Sequence, residues 1–175
     1  LMLPLYALRL LEFRRVLRQR TAALRTNRGV SATARVMAPL ASWIWASRAA
    51  AADLLKAGLD EVESLLPGKV EIAFARGGSL GLEDGLEDFW ASLARHAESE
   101  ARAGIPLVGP HRDDLFVGNG EKPAVQVYSR GHRRRVAVAL MMAAGWAVAR
   151  AHVPAATAPL SSVGGLVRAG RVDHV

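Results

Sequence analysis

Residues 136–149, VAVALMMAAGWAVA, run for fourteen positions without a charge between Arg135 and Arg150. A helix needs about 20 apolar residues to cross a bilayer core. The run is too short for that and reads as a helix buried in protein.

Just ahead of it, YSRGHRRRVAVAL (residues 128–140) puts Arg130, His132, Arg133, Arg134 and Arg135 where the helix begins. A helix N-terminus already carries unpaired N–H groups and the positive end of the dipole, so cations there are misplaced unless an anion joins them. A strand or hairpin, then Ser-x-Gly, then a helix suits a phosphate. Ser129 would offer its hydroxyl, Gly131 would let the backbone approach closely, and free N–H groups would converge on the oxyanion. A solvated basic loop before a core helix fits the same spacing, because short glycine motifs recur by chance.

The charge balance favours an anionic partner. Twenty-three Lys and Arg against 16 Asp and Glu leave a net charge of +7 over 175 residues, which suits nucleic acid or nucleotide phosphates. The absence of cysteine removes disulfide scaffolds, thiolate metal sites and cysteine nucleophiles, and fits a reducing cytoplasm. LMLPLYALRLLEF lacks the basic start and cleavage site of a signal peptide. Its early entry into an amphipathic helix leads to the expectation that the chain is the middle of something longer.

Residues 5–25 place Leu5, Leu8, Phe13, Val16, Leu17 and Leu24 near helical spacing, with Arg9, Arg14, Arg15, Arg18 and Arg25 between them. After TNRGVS a second helix is expected over 34–66, striped by Met37, Leu40, Ile44, Leu54, Leu55, Leu59, Val62 and Leu65. Pro39 should lie in its first turn or kink it, and Pro67-Gly68 should end it. KVEIAFA (69–75) alternates as a strand does. A third helix is expected over 85–103, capped by Asp84 and stopped by Gly104 and Pro106. DDLFV, GNGEKP and AVQVY read as a β-hairpin delivering the chain into Ser129. Residues 150–175, rich in Ala, Pro, Ser and Gly, read as poorly structured.

GPHRDDL (residues 109–115) holds His111, Asp113 and Asp114, which are conceivable metal ligands or acid–base groups. Two adjacent carboxylates on a strand face opposite ways, so an ion-pair turn with Arg112 is the simpler reading.

Taken together, GPHRDDL, a hairpin and SRGHRRRVAVAL resemble the C-terminal half of the RecF family, recombination mediators of the SMC-like branch of ABC ATPases. The family pattern is that segment, a hairpin, Ser-Gln/Arg-Gly-Gln/Glu-x-Arg, and an alanine- and leucine-rich helix. Ser129, Gly131 and Arg134 match it, Arg130 is an accepted variant, and His132 stands where Gln or Glu is usual. YALRLLEFRRVLRQRTAAL is similar to the family's helix leading into its coiled-coil arm, with Thr21 in place of Asn. The resemblance covers residues 6–149.

What the resemblance implies is an α+β fold: a helical, coiled-coil-like arm lobe with a short strand over 1–108, joined to a partial ABC head with hairpin, signature motif and signature helix over 109–149. Residues 150–175 would form a divergent, disordered tail. The implied activity is a weak DNA-stimulated ATPase of a cytoplasmic protein, with no membrane association, acting in DNA replication, repair and the DNA-damage (SOS) response. It would bind single-stranded and duplex DNA at gaps and stalled forks and help load RecA, with RecO and RecR as partners. ATP with Mg would be shared across a homodimer. Ser129, Arg130, Gly131, His132 and Arg134 would face the nucleotide of a partner, and Arg14, Arg15, Arg18, Arg133 and Arg135 are the candidate DNA contacts.

The family's Gly-Lys-Ser/Thr phosphate loop is missing, as is the apolar strand ending in two acids after the signature helix. The chain alone is therefore expected to bind no ATP and to be inactive as an ATPase, as would suit a fragment whose tail has left family register through a frameshift or a degraded gene. An inactive degraded product, another SMC-like repair ATPase, and a non-enzymatic basic helical module binding nucleic acid or protein are the alternatives. Without the central strands of a full head, apolar surface on 136–149 would be an aggregation liability.

Overall fold

The computed structural model describes residues 2–152. In chain order these form α1 (Met2–Thr26), α2 (Val30–Asp60), a 3₁₀ turn (Glu63–Leu65), β1 (Glu71–Ala75), α3 (Gly85–Ala103), a second 3₁₀ turn (Pro110–Arg112), β2 (Asp114–Gly118), α4 (Ala124–Val127) and α5 (Arg130–His152). The expected tail lies outside the described residues except for 150–152, which continue α5.

α2 runs back along α1. Asn27 and Gly29 take positive φ values of 51° and 71° in the short connection, conformations that Asn and Gly adopt at least cost. Arg20 then reaches the Val30 carbonyl, while Tyr6, near the far end of α1, packs on Trp43 and accepts from Arg48. α3 starts where Asp84 Oδ1 accepts from the amides of Leu86 and Glu87, and it ends at left-handed Gly104, whose N–H donates to the Glu100 carbonyl.

Two apolar cores divide the length of α2. Its N-terminal half, with Met37, Leu40, Ile44 and Trp45, packs on Phe13 and Val16 of α1, Phe89 and Leu93 of α3, and Val108. Its C-terminal end, through Leu59, packs on Ile72 of β1 and on Ala139 and Ala143 of α5. At this second crossing the helices meet closely: a Cβ on Gly58 would stand 2.5 Å from the Ala143 carbonyl oxygen. The fold is α+β, mostly helical with one two-stranded sheet. No helix among the described residues is long and apolar enough to cross a membrane.

Several expectations need correction. The expected hairpin is absent: β2 pairs antiparallel with β1, from Glu71 opposite Gly118 to Ala75 opposite Asp114. AVQV is the short helix α4, and β2 pairs with the segment after it only through an isolated bridge from Gly118 to Pro123. A strand from a distant segment has taken the place that local β propensity assigned to 124–128. α2 begins at Val30 rather than 34, which puts Pro39 in its interior, and it stops at Asp60. Of the expected stripes, Leu5, Leu8, Leu54 and Leu65 are exposed, and the run 136–149, expected as a buried helix, buries only Val136, Ala139 and Ala143, because each core covers only part of a long helix.

Candidate nucleotide-facing turn and its supports

Ser129 caps α5. Its Oγ accepts from the His132 amide at 3.2 Å, and its carbonyl accepts from the Arg133 amide at 2.9 Å. The hydroxyl serves the cap as an acceptor, so its own proton remains available to an oxyanion. Gly131 is exposed, and the Ser129 Oγ, at 3.9 Å, is the one atom near a Cβ added there. Nothing in the described fold demands a glycine at that position. A demand, if it exists, comes from something that approaches from outside.

The first turn of α5 carries no acidic residue. Among the described residues none of Arg130, Arg133, Arg134 and Arg135 forms an ion pair. All four are exposed, as is His132. Arg135 Nε donates to the Leu65 carbonyl at 3.1 Å, leaving the guanidinium charge uncompensated. The dipole and these cations therefore add at one exposed helix end. Arg14, Arg15 and Arg18 are exposed too, but α1 packs in the first core and α5 in the second. The two arginine sets stand on different parts of the fold.

GPHRDDL has a structural task. The Asp113 side chain is 4% exposed and accepts from Arg48 at 2.6 Å, Trp45 Nε1 at 2.8 Å and the Gly77 amide at 2.8 Å. Its cation is Arg48 and not Arg112, whose guanidinium donates to the Pro106 carbonyl. Asp114 is exposed and accepts from the neighbouring Leu115 amide. His111 is exposed at its edge, with its ring 6.0 Å from that of Phe13 and its Nε2 3.2 Å from the Pro106 carbonyl oxygen. Partial desolvation of the ring, aided by the Arg112 charge, outweighs that carbonyl and lowers the imidazole below its ordinary value. Among the described residues no group of three or more His, Asp or Glu is placed to hold a metal ion. Gly109 has a φ of 132°, reserved for glycine, and its amide donates to the Gly77 carbonyl.

Two buried charge sites escaped the sequence reading. Arg20 pairs with Glu100 in the first core. Its place on α1, four residues after Val16 and seven after Phe13, is an apolar-stripe position, and that periodicity was the available signal. Asp88 is fully buried and accepts from Ser79, Arg76, Ser92 and the Leu80 amide. Burial alone would raise its pKa, but the four donors outweigh it and hold the carboxyl below the ordinary value. The signal here was only the Arg-Gly-Gly-Ser loop before a capped helix.

No protein-family model matches the chain. The chain is 32% identical over 150 residues to the DNA replication and repair protein RecF of Geobacter sp. (strain M21), and 30% identical over 150 residues to RecF of Citrifermentans bemidjiense. Each match covers 75% of this chain and 38% of the relative. A solved structure of the recombination mediator protein RecF-ATP of the RecFOR pathway superposes with a TM-score of 0.71 at 20% identity, over 79% of this chain and 40% of that one. RecF with ATPrS gives the same score at 21% identity, over 79% and 41%. Over three quarters of its length this chain is thus similar in sequence to RecF and shares the fold of the RecF structures, and it spans about two fifths of the length of these relatives.

Proposed function

We propose that the chain supplies the signature half of a RecF-type ATPase acting in DNA replication and repair, with Ser129, Arg130, Gly131, His132 and Arg134 facing an ATP held by the phosphate loop of a partner subunit. The observation that carries this reading is the turn at Ser129. A hydroxyl proton not used by the cap, the end of α5 and four arginines that form no ion pair among the described residues meet at an exposed position that an anion would balance. Bound there, the nucleotide would contribute its phosphates, with Mg on the partner's side. This chain would bind the outer phosphate oxygens and bring positive potential to charge that develops on them.

In this reading residues 1–108 serve as the arm lobe and 109–149 as the head part, in a cytoplasmic assembly. The ATP-dependent dimer would engage DNA at gaps and stalled forks and help load RecA with RecO and RecR. Arg14, Arg15 and Arg18 on α1, with Arg133 and Arg135, would add phosphate contacts that weaken with salt.

The test mixes this chain with a RecF-type subunit that keeps its phosphate loop but has a disabled signature serine. DNA-stimulated ATP hydrolysis should appear only in the mixture and disappear with Ser129→Arg. A folded chain that restores no turnover overturns the proposal and leaves a basic binding module.

A further inference from the structure

The Ser129 turn is poorly supported by its own neighbourhood. It follows residues 119–128, which after the bridge at Pro123 contain only the four-residue α4. The supports come from elsewhere. Tyr128 Oη donates to the Lys69 carbonyl at 2.6 Å, and Arg135 Nε donates to the Leu65 carbonyl at 3.1 Å. The two acceptors bracket Pro67-Gly68 in the connection that leaves α2, and the two donors bracket the Ser129–Gly131 turn. Leu65 closes a 3₁₀ turn and Lys69 precedes β1, so neither carbonyl is used by the elements beside it. Farther along, Ala139 and Ala143 of α5 pack with Leu59 and Ile72, and Gly58 admits the α5 backbone.

We propose that Tyr128 and Arg135 are positioning residues that lock the Ser129–Gly131 turn to the connection between α2 and β1, so that this connection, with α5 packed on the end of α2, sets where the turn stands relative to a partner's nucleotide. The inference rests on the signature reading above. Contacts to transferring phosphates tolerate little displacement, and a misplacement of about 1 Å costs on the order of a hundredfold in rate. Loss of one of two hydrogen bonds should displace the turn less, with an effect of about tenfold.

The experiment uses the full chain in the mixed ATPase assay, with Tyr128→Phe, Arg135→Gln, Arg135→Lys and Ser129→Arg. Tyr128→Phe and Arg135→Gln should each lower the plateau rate at saturating chain by about tenfold, while KM for ATP stays within about threefold. Arg135→Lys should recover most of the loss, because an ammonium can still donate to the Leu65 carbonyl. A variant that merely unfolds would instead require more chain to reach an unchanged plateau. Hydrogen exchange gives an independent reading. The amides of His132 and Arg133 should exchange faster in Tyr128→Phe, while those of residues 37–45 keep their protection. Unchanged plateaus and unchanged exchange in both variants, with Ser129→Arg still inactive, would overturn the positioning role and leave the signature reading intact. An active Ser129→Arg mixture, or no turnover with the unsubstituted chain, overturns both.

Discussion

Arg20 and Glu100, eighty residues apart in sequence, meet at 2.5 Å with their side chains 2% and 1% exposed. Arg20 also donates to the Val30 carbonyl, and Glu100 accepts from the Leu107 amide. The pair therefore ties α1, the start of α2, α3 and the segment after α3 at one buried point. Removing one partner leaves the other charge unpaired, so Glu100→Leu should cost about 3–5 kcal/mol. Arg20→Met combined with Glu100→Leu should recover most of that loss, since the pair's own desolvation cost disappears with it. Urea unfolding of the unsubstituted chain and the two variants checks this, and a Glu100→Leu loss under about 1 kcal/mol would count against it.

Asp113 and Asp114 should behave as opposites. Asp113→Ala strands Arg48, Trp45 Nε1 and the Gly77 amide and should cost about 3 kcal/mol or more. Asp114→Ala removes an exposed carboxylate with one local contact and should stay within about 0.5 kcal/mol. Equal effects in thermal melts would contradict the assignment of Asp113 as the structural acid.

The Asp88 carboxyl makes stability sensitive to acid. Its folded pKa lies below the ordinary value despite burial, so its ionised form stabilises the fold. That contribution is complete above the unfolded pKa, about 4, and is lost as pH falls toward the folded value. Asp88→Asn should lower Tm at pH 7 and flatten the decline of Tm from about pH 4 downward. A parallel decline in both proteins would assign the acid sensitivity to other groups.

The outer face of α5 should drive self-association. Val138, Met141 and Met142 are 47%, 67% and 49% exposed on a helix whose other side is buried, and such patches attract a second apolar surface. Met141→Lys should reduce light scattering at high protein concentration and leave Tm within about 1 °C, because the side chain adds little to either core. Unchanged scattering would point to a different patch.

Much of this protein is legible one segment at a time. Periodicity locates α1, Asp84 and Gly104 mark the ends of α3, and Ser129 marks the start of α5, because caps and helical spacing depend on residues within a turn or two. The arginines after Ser129 were legible as a charge problem for the same reason. What the order of residues left open is which distant groups meet. Local β propensity favoured a hairpin over 113–128, but β1, some forty residues earlier, pairs with β2. Asp113 stood beside Arg112 in sequence, yet its cation is Arg48. Arg20 stands at an apolar-stripe position of α1, and the acid that pairs with it there, Glu100, comes from α3. These partners are separated by far more chain than one helical turn, and their contacts are made only when two cores form along α2. Local hydrogen bonding and spacing thus determined the elements, while packing along α2 decided strand pairing and the partners of the buried charges.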